Sequence, residues 1–360
     1  MRKFVRFLRI LCILFLSCLI LGLLFLFTTP WGYKTRELAA TMILSSQHRN
    51  LAKYTLLDDI VLKKIAADID SPKYVNVKPP TDGSATIVNQ TSSDNNSNSF
   101  STSFSKEDLV VSIDDVEKTY SDHYFKGKLL TISNPLNVKI SSSKGSQGRG
   151  FGEQLPIIAK REGAIAATNA NGFYDPNGVG NGGTAIGTII EDGVVKNTPG
   201  SNTKADYVAG FTNTGFLVTG KYSVEDLQYF NVKQAASFRP QLIANGQKMI
   251  TEGDGGWGYG PRTIIAQKKD GTVFLLVVDG RQSHSIGASL KDLQDYLYDK
   301  GAINAMAMDG GSSSAMYFNG KVVTSPSSVG HVPRYLPNAW VVVPKEGQKF
   351  AVYKNGERIS

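Results

Sequence analysis

Thiols are nearly missing from this chain: its only cysteines, Cys12 and Cys18, sit together inside an apolar N-terminal run. The region beyond that run therefore has neither a disulfide nor a Cys-ligated metal site, and its core alone must hold it together. Histidine is scarce too. The four present show no H-x-H or H-x-x-E pattern, which argues against a metal-cluster hydrolase. No basic stripe with interleaved aromatics appears, so nucleic acid is not an expected partner. No repeat of solenoid or propeller period is present. The net charge of +8 falls to +4 once Arg2, Lys3, Arg6 and Arg9 are set aside, leaving at most weak attraction to anionic wall polymers.

Those four basic residues precede an apolar run from Ile10 to Phe27. At 1.5 Å per residue the run spans about 27 Å, close to the hydrocarbon thickness of a bilayer. Residues 1–33 are thus expected to be a cytoplasmic basic flank and transmembrane anchor, a single pass with the C-terminal part outside the cytoplasm. A cleaved signal peptide is the competing reading, though Thr28-Thr29-Pro30-Trp31 offers no small-x-small cleavage site. Residues 34–69 read as one helical stalk: apolar residues recur at spacings near three and four, without Gly or Pro. Such a stalk could also pair two copies of the chain. Residues 70–108, rich in Ser, Asn, Thr and Asp, bury too little apolar surface to offset chain entropy and are expected to be a flexible linker.

The globular domain is expected over 109–346, with 347–360 as a C-terminal tail. Glu191-Asp192-Gly193, Ala244-Asn245-Gly246, Lys269-Asp270-Gly271 and Phe318-Asn319-Gly320 lie between β-branched or aromatic runs, the signature of tight hairpins. Helical pattern is sparse. One candidate covers Glu153–Arg161. Another starts at a Ser289 cap, carries Leu290, Leu293, Tyr296 and Leu297 on one face, and stops at Gly301. The fold class is therefore α+β: a β-rich mixed-sheet domain with a few packed helices, behind a transmembrane helix and stalk.

Three polar, glycine-rich loops each follow an apolar run. Ala305-Met306-Ala307-Met308 stops at Asp309 and continues as Gly310-Gly311-Ser312-Ser313-Ser314. A buried strand of this kind delivers an acid to the mouth of a site, where loop N–H groups can surround an anion. Val273–Val278 runs likewise into Asp279-Gly280-Arg281. Two such strands, if neighbours, would bring together a pair of acids, as glycosidic and phosphoryl chemistry require. Each Asp-Gly alone also reads as a turn. In the Asn169-Ala170-Asn171-Gly172-Phe173-Tyr174-Asp175 loop, amides suit sugar hydroxyls and aromatics offer stacking faces, although Asn and Gly are also common loop formers. Asp175-x-Asn177-Gly178 faintly resembles a calcium loop but lacks the later acidic ligands, so no metal is expected. Arg262, where Gly258-Tyr259-Gly260-Pro261 meets a strand, fits an anion clamp or a surface ion pair. His284 is a candidate general acid or a solvated loop residue. The absence of a Gly-x-Ser-x-Gly elbow argues against a Ser nucleophile in Ser312–Ser314.

Taken in order, Asn-x-Asn-Gly-Phe, Gly-x-Arg-Thr, Asp-Gly-Arg with a helix behind it, and Asp-Gly-Gly-Ser-Ser resemble the phosphodiester glycosidase family over roughly Gly127–Val343. Bacterial surface and exopolysaccharide-associated proteins carry similar domains, and the anchor and stalk resemble those of Gram-positive members. The resemblance implies a hydrolase that releases a sugar from a sugar-1-phosphodiester, acting on a glycan or glycolipid without a cofactor. Carried over, Asn169, Asn171 and Gly172 match the first sugar loop and Arg262 the Arg-Thr motif. Asp279-Gly280 and Asp309-Gly310-Gly311-Ser312 match the two acidic loops. The reading Asn-Ala-Asn-Gly-Phe departs from the Asn-Gly-Gly-Phe-Phe frequent in the family and leaves the sugar open. On this view Asp309 stands nearest the anomeric carbon, with Asp279 its partner or a hydroxyl anchor. Arg262 and the N–H groups of Gly310–Ser313 would stabilise the leaving phosphate, and Phe173 and His284 would line the sugar site. A non-catalytic, membrane-tethered wall or exopolysaccharide-binding module is the alternative.

Overall fold

The computed structural model describes residues 2–46, 48–80, 108–145, 150–175 and 178–360. Contacts divide it into two units, Met1–Ser71 with Gly256–Gly258, and Pro72–Gly255 with Tyr259–Ser360. Most of the expected linker, 81–107, lies outside the described residues.

The first unit is helical. The apolar run forms the helix Arg2–Thr28, whose segment Phe4–Thr28 is long and apolar enough to cross a membrane and is not buried in the protein. Thr29 then caps a new helix, accepting from Gly32 N, with Pro30 at its first position. The stalk is not the single helix expected. It divides into Pro30–Leu44, a 3-10 segment Arg49–Thr55, and Asp59–Asp70. The hydroxyls of Ser45 and Ser46 bond back to Met42 and Ile43 carbonyls, Leu56 turns left-handed, and Asp58 caps Ile60. Local side-chain bonds of this kind end a helix that apolar spacing alone would continue. Leu44, Ala52 and Ile69 bury themselves against Trp257.

The second unit is built from β-sheets. Its largest has nine strands in the order Gln247–Lys248, Gln241–Ala244, Ala302–Met308, Arg262–Lys268, Val273–Val278, Tyr124–Ile132, Asp108–Thr119, Lys349–Lys354 and Glu357–Arg358. Two five-stranded sheets complete it. One carries Ala166–Asn169 between Met316–Phe318 and Asn338–Val342; the other is centred on Val232–Ser237. All three share one core, including Leu130, Ile265, Met306 and Met308 from the large sheet, Ala166 and Trp340 from the sheet of Ala166–Asn169, and Ala209 and Phe211 from the sheet centred on Val232–Ser237. Trp340 is fully buried, and its indole N–H points at Met308 Sδ, 3.2 Å away.

Several local expectations hold. Asp192-Gly193, Asn245-Gly246 and Asn319-Gly320 all take positive φ, as the tightest hairpins require. Ser289 and Asp292 form a capping box on the helix Leu290–Asp299, which buries Leu290, Leu293 and Leu297. Two segments are more ordered than composition suggests. Val77 donates to Thr219 O, Gln241 brackets Val75, and Tyr222 donates to Val77 O, so residues 75–77 lie along a sheet edge with the Val77 side chain fully buried. The expected tail contains Lys349–Lys354, which pairs in parallel with Asp108–Thr119 and buries Val352.

Candidate active site

Register brings the acidic loops to one edge. Arg262–Lys268 runs antiparallel both to Val273–Val278 and to Ala302–Met308, with Arg262 opposite Val278 and Thr263 opposite Met308. The two flanking strands therefore point the same way. Asp279 and Asp309 leave at the edge where Arg262 enters, between them. The condition for bringing the acids side by side is not met: one intervening strand separates the two, so the acids stand roughly 10 Å apart at the backbone.

Their surroundings differ. Asp279 accepts from Ser325 N at 2.8 Å and meets His284 Nε2 at 3.2 Å. Burial raises its carboxyl above the ordinary range, against the lowering effects of Ser325 and His284. Asp279 and His284 face a separate groove of about 880 Å³ that also includes Phe318, Thr324 and Lys354 and does not include Asp309. The exposed His284 belongs to that side.

Asp309 is fixed from the sheet that carries Ala166–Asn169. Its N–H donates to Ala170 O at 3.0 Å, and Asn169 Nδ2 donates to its carbonyl at 2.6 Å. Burial pushes the Asp309 carboxyl up to about 6, although the Ser313 hydroxyl, Arg334 and the Gly310 N–H pull the other way. The residue as a whole is only partly buried, while its carboxyl is the buried part. Gly172 lies beside it, where a Cβ would come 3.9 Å from Asp309 Cγ and 3.2 Å from the Phe238 ring.

Three guanidinium groups stand around this loop. Arg262 is buried, and its pKa drops to about 10, first through burial and then through Arg281, with Asp254 opposing. A Cβ on Gly310 would come 3.6 Å from Arg262 Nη1, and one on Gly311 would come 3.4 Å from Arg281 Nη1. Among the described residues no carboxylate forms an ion pair with Arg281. Arg334 donates to Ser312 Oγ at 3.0 Å, pairs with Asp175, and lies over the Phe173 ring, 5.0 Å from its centre. Two adjacent guanidinium groups beside a glycine-rich loop concentrate positive charge there, in the planar form that suits an anion's oxygens.

Several expected contact residues turn inward. Asn169 is fully buried and also accepts from Thr263 Oγ1 and Ala315 N. Asn171 is equally buried, donating to Ile186 and Thr188 carbonyls and accepting from Asn338. Their hydrogen bonds are used within the protein, so both position the loop rather than reach for hydroxyls. Phe173 is buried under Arg334 and offers no open stacking face; Tyr174 is the exposed aromatic. Gly280 is a close-approach glycine, since a Cβ there would sit 2.6 Å from Pro261 N. The serine loop is a 3-10 turn, Gly311–Ser313, and not a full ring of donors. Gly311 N is taken by Pro261 O, and Ser313 N and Ser314 N by carbonyls within the loop. Side chains must supply most of the anion contacts.

Arg281 and Arg334 join the site without having been given a part by sequence reasoning. Arg281 follows Asp279-Gly280 directly, so its signal was present. Arg334, in Val332-Pro333-Arg334-Tyr335, sits in no motif. The faint calcium loop is accounted for differently as well: the Asp175 carboxylate is engaged by Arg334 and by Gly180 N.

A family model described as phosphodiester glycosidase matches residues 162–343, half of the chain. The SPbeta prophage-derived uncharacterized protein YomE of Bacillus subtilis is 25% identical over 292 residues, covering 78% of this chain and 44% of its own length. The Mus musculus N-acetylglucosamine-1-phosphodiester alpha-N-acetylglucosaminidase is 27% identical over 162 residues, covering 40% of this chain and 31% of its own length. The chain thus spans less than half the length of these relatives. Among solved structures, the catalytic domain of the zebrafish N-acetylglucosamine-1-phosphodiester alpha-N-acetylglucosaminidase, auto-inhibited by its pro-peptide, aligns with a TM-score of 0.56 at 23% identity. It covers 66% of this chain and 84% of that one. That likeness establishes the β-rich mixed-sheet fold.

Proposed function

Because this chain belongs to the phosphodiester glycosidase family, we propose that it hydrolyses a sugar-1-phosphodiester, releasing the sugar and leaving a phosphomonoester. The observation that carries this reading is the Asp309 carboxyl, raised to about 6, with guanidinium groups around its loop. Breaking the C1–O bond builds positive charge on the sugar and negative charge on the leaving phosphate. Asp309, ionised at neutral pH, stabilises the first, either by bonding to C1 or by taking a proton from the attacking water. Arg262 and Arg281 stabilise the second. The hydroxyl of water ends on C1 and its remaining proton goes to solvent or phosphate. A phosphate leaves more readily than an alkoxide, so a strong general acid is not needed, and Asp279 has no required place at C1.

N-acetylglucosamine is the first sugar to test, because the mouse relative is named for it. The helix Phe4–Thr28, behind its basic flank, supports a reaction at the outer face of a membrane. The test uses the full chain in detergent, with its Asp309→Asn variant, on UDP-N-acetylglucosamine and on methyl N-acetyl-α-glucosamine-1-phosphate diester. Free sugar from the parent, reduced roughly a thousandfold or more in the variant, is expected. Equal release by both proteins removes Asp309 from the chemistry. Retention of the diesters by both without any turnover favours the binding-module reading.

A further inference from the structure

Beside the arginines the surface becomes apolar. Phe151, Tyr174, Val179, Ile186, Val332 and Tyr335 are all exposed, with Phe151, Tyr174 and Val179 at 60%, 62% and 68%. They come from three segments that are bonded together. Gly152 N donates to Asn181 O, and Glu153–Gln154 pairs with Tyr335–Leu336. Tyr174 N donates to Thr184 O, and Ile186 N to Gly172 O. The Phe151 and Tyr335 rings lie 5.5 Å apart. Together these side chains expose on the order of 500 Å² of apolar surface, the size of patch that on a soluble domain is often functional.

This apolar rim is continuous with the site. Arg334, next to Tyr335 in the chain, touches Ser312 of the Asp309 loop, and a Cβ on Gly180, beside Val179, would strike its guanidinium. Ile186 contributes its carbonyl to Asn171, two residues beyond the strand Ala166–Asn169, whose Asn169 amide holds the Asp309 carbonyl. In a phosphodiester the phosphate carries the sugar on one side and the acceptor alcohol on the other. With the phosphate against the arginines and the sugar at Asp309, the acceptor is the part that reaches the rim. A polar glycan would gain little there and would desolvate its hydroxyls against valine and isoleucine.

Building on the hydrolase reading, we propose that the rim binds the acceptor, and that the acceptor is an apolar alcohol: the preferred substrate is a sugar phosphodiester of a lipid. A chain that also carries a helix apolar enough for a bilayer is consistent with such a substrate.

The test compares methyl and octyl esters of N-acetyl-α-glucosamine-1-phosphate on the full chain, both below micelle-forming concentration. kcat/KM is expected to be roughly 10–100-fold higher for the octyl ester, as burial of methylene groups predicts. In the Phe151→Ser/Tyr335→Ser variant that ratio should collapse toward one. Val332→Ser, a single exposed change, should reduce it partly and guards against misfolding of the double variant. Equal kcat/KM for the two esters in the parent overturns the proposal, as does a ratio that survives the substitutions. If neither ester is hydrolysed, either the sugar is not N-acetylglucosamine or the hydrolase reading fails, and calorimetry with octyl and methyl phosphate still decides the rim. Tighter binding of octyl phosphate, lost in the variant, supports it; equal binding overturns it.

Discussion

The side-chain amide of Asn169 donates to the backbone carbonyl of Asp309 at 2.6 Å, tying the end of a strand in one sheet to the acid that leaves another. Thr263 Oγ1 and Ala315 N fill the other side of that amide. Asn169→Asp keeps the shape and removes the donor, so a carboxylate oxygen faces a carbonyl in a buried place. A loss of about 2–3 kcal/mol of stability is expected, together with a fall in turnover as Asp309 shifts. Thermal unfolding and sugar release measure the two effects; parental values for both would show that the bond does not hold the acid.

The pH dependence follows from the raised Asp309 carboxyl. Its folded pKa of about 6 lies above the ordinary 3.8, so folding favours the protonated form. The stability this group contributes is whole below about pH 4 and is lost as pH rises through 6. Asp309→Asn should therefore be more stable than the parent at pH 7, by at most about 3 kcal/mol. The advantage should vanish near pH 4. Denaturant unfolding across that range reads it directly. Turnover moves the opposite way, falling about tenfold per pH unit below 6 as the carboxylate is protonated. A rate that instead fell above pH 6 would make Asp309 a proton donor.

Asp279 is expected to behave unlike its sequence twin. Its carboxylate holds Ser325 N and His284, and it faces the groove of Phe318 and Lys354. Asp279→Asn keeps an acceptor for Ser325, so turnover should fall less than about tenfold, against roughly a thousandfold for Asp309→Asn. Comparable losses would return Asp279 to the reacting centre.

What the sequence made legible were features that local chemistry decides: the Asn-Gly turns, the Ser289 cap and the apolar run before each Asp-Gly. Strand order was not among them. Val273–Val278 and Ala302–Met308 carry the same pattern, and only tertiary pairing inserts Arg262–Lys268 between them. The asparagines misled for a related reason. An Asn beside glycine reads as a sugar contact, yet Asn169 and Asn171 spend every side-chain group on partners distant in the chain, such as Asp309 and Asn338. Arg334 gave no local signal, because its role comes from lying over Phe173 and against Ser312. The broken stalk, in contrast, was readable: Ser45-Ser46 and Asp58 are capping residues that periodicity outweighed.

The two arginines beside Gly310 and Gly311 should separate by how they fail. Arg262 is buried and begins a central strand, whereas Arg281 is exposed and, among the described residues, has no ion-paired carboxylate. Arg281→Met removes a charge that, apart from its repulsion with Arg262, only a bound anion would meet, so the unfolding temperature should not fall below that of the parent. Its kcat/KM on the diester should fall roughly 10–100-fold, the range for one lost charge-assisted contact to a phosphate. Arg262→Met should lower both quantities, since the strand start and its loop were shaped around a guanidinium. Competition by inorganic phosphate distinguishes a direct contact from an indirect one: phosphate should inhibit the parent more strongly than Arg281→Met. If it inhibits both equally, Arg281 does not touch the leaving group, and the phosphate cradle must be rebuilt around Arg262 and Arg334.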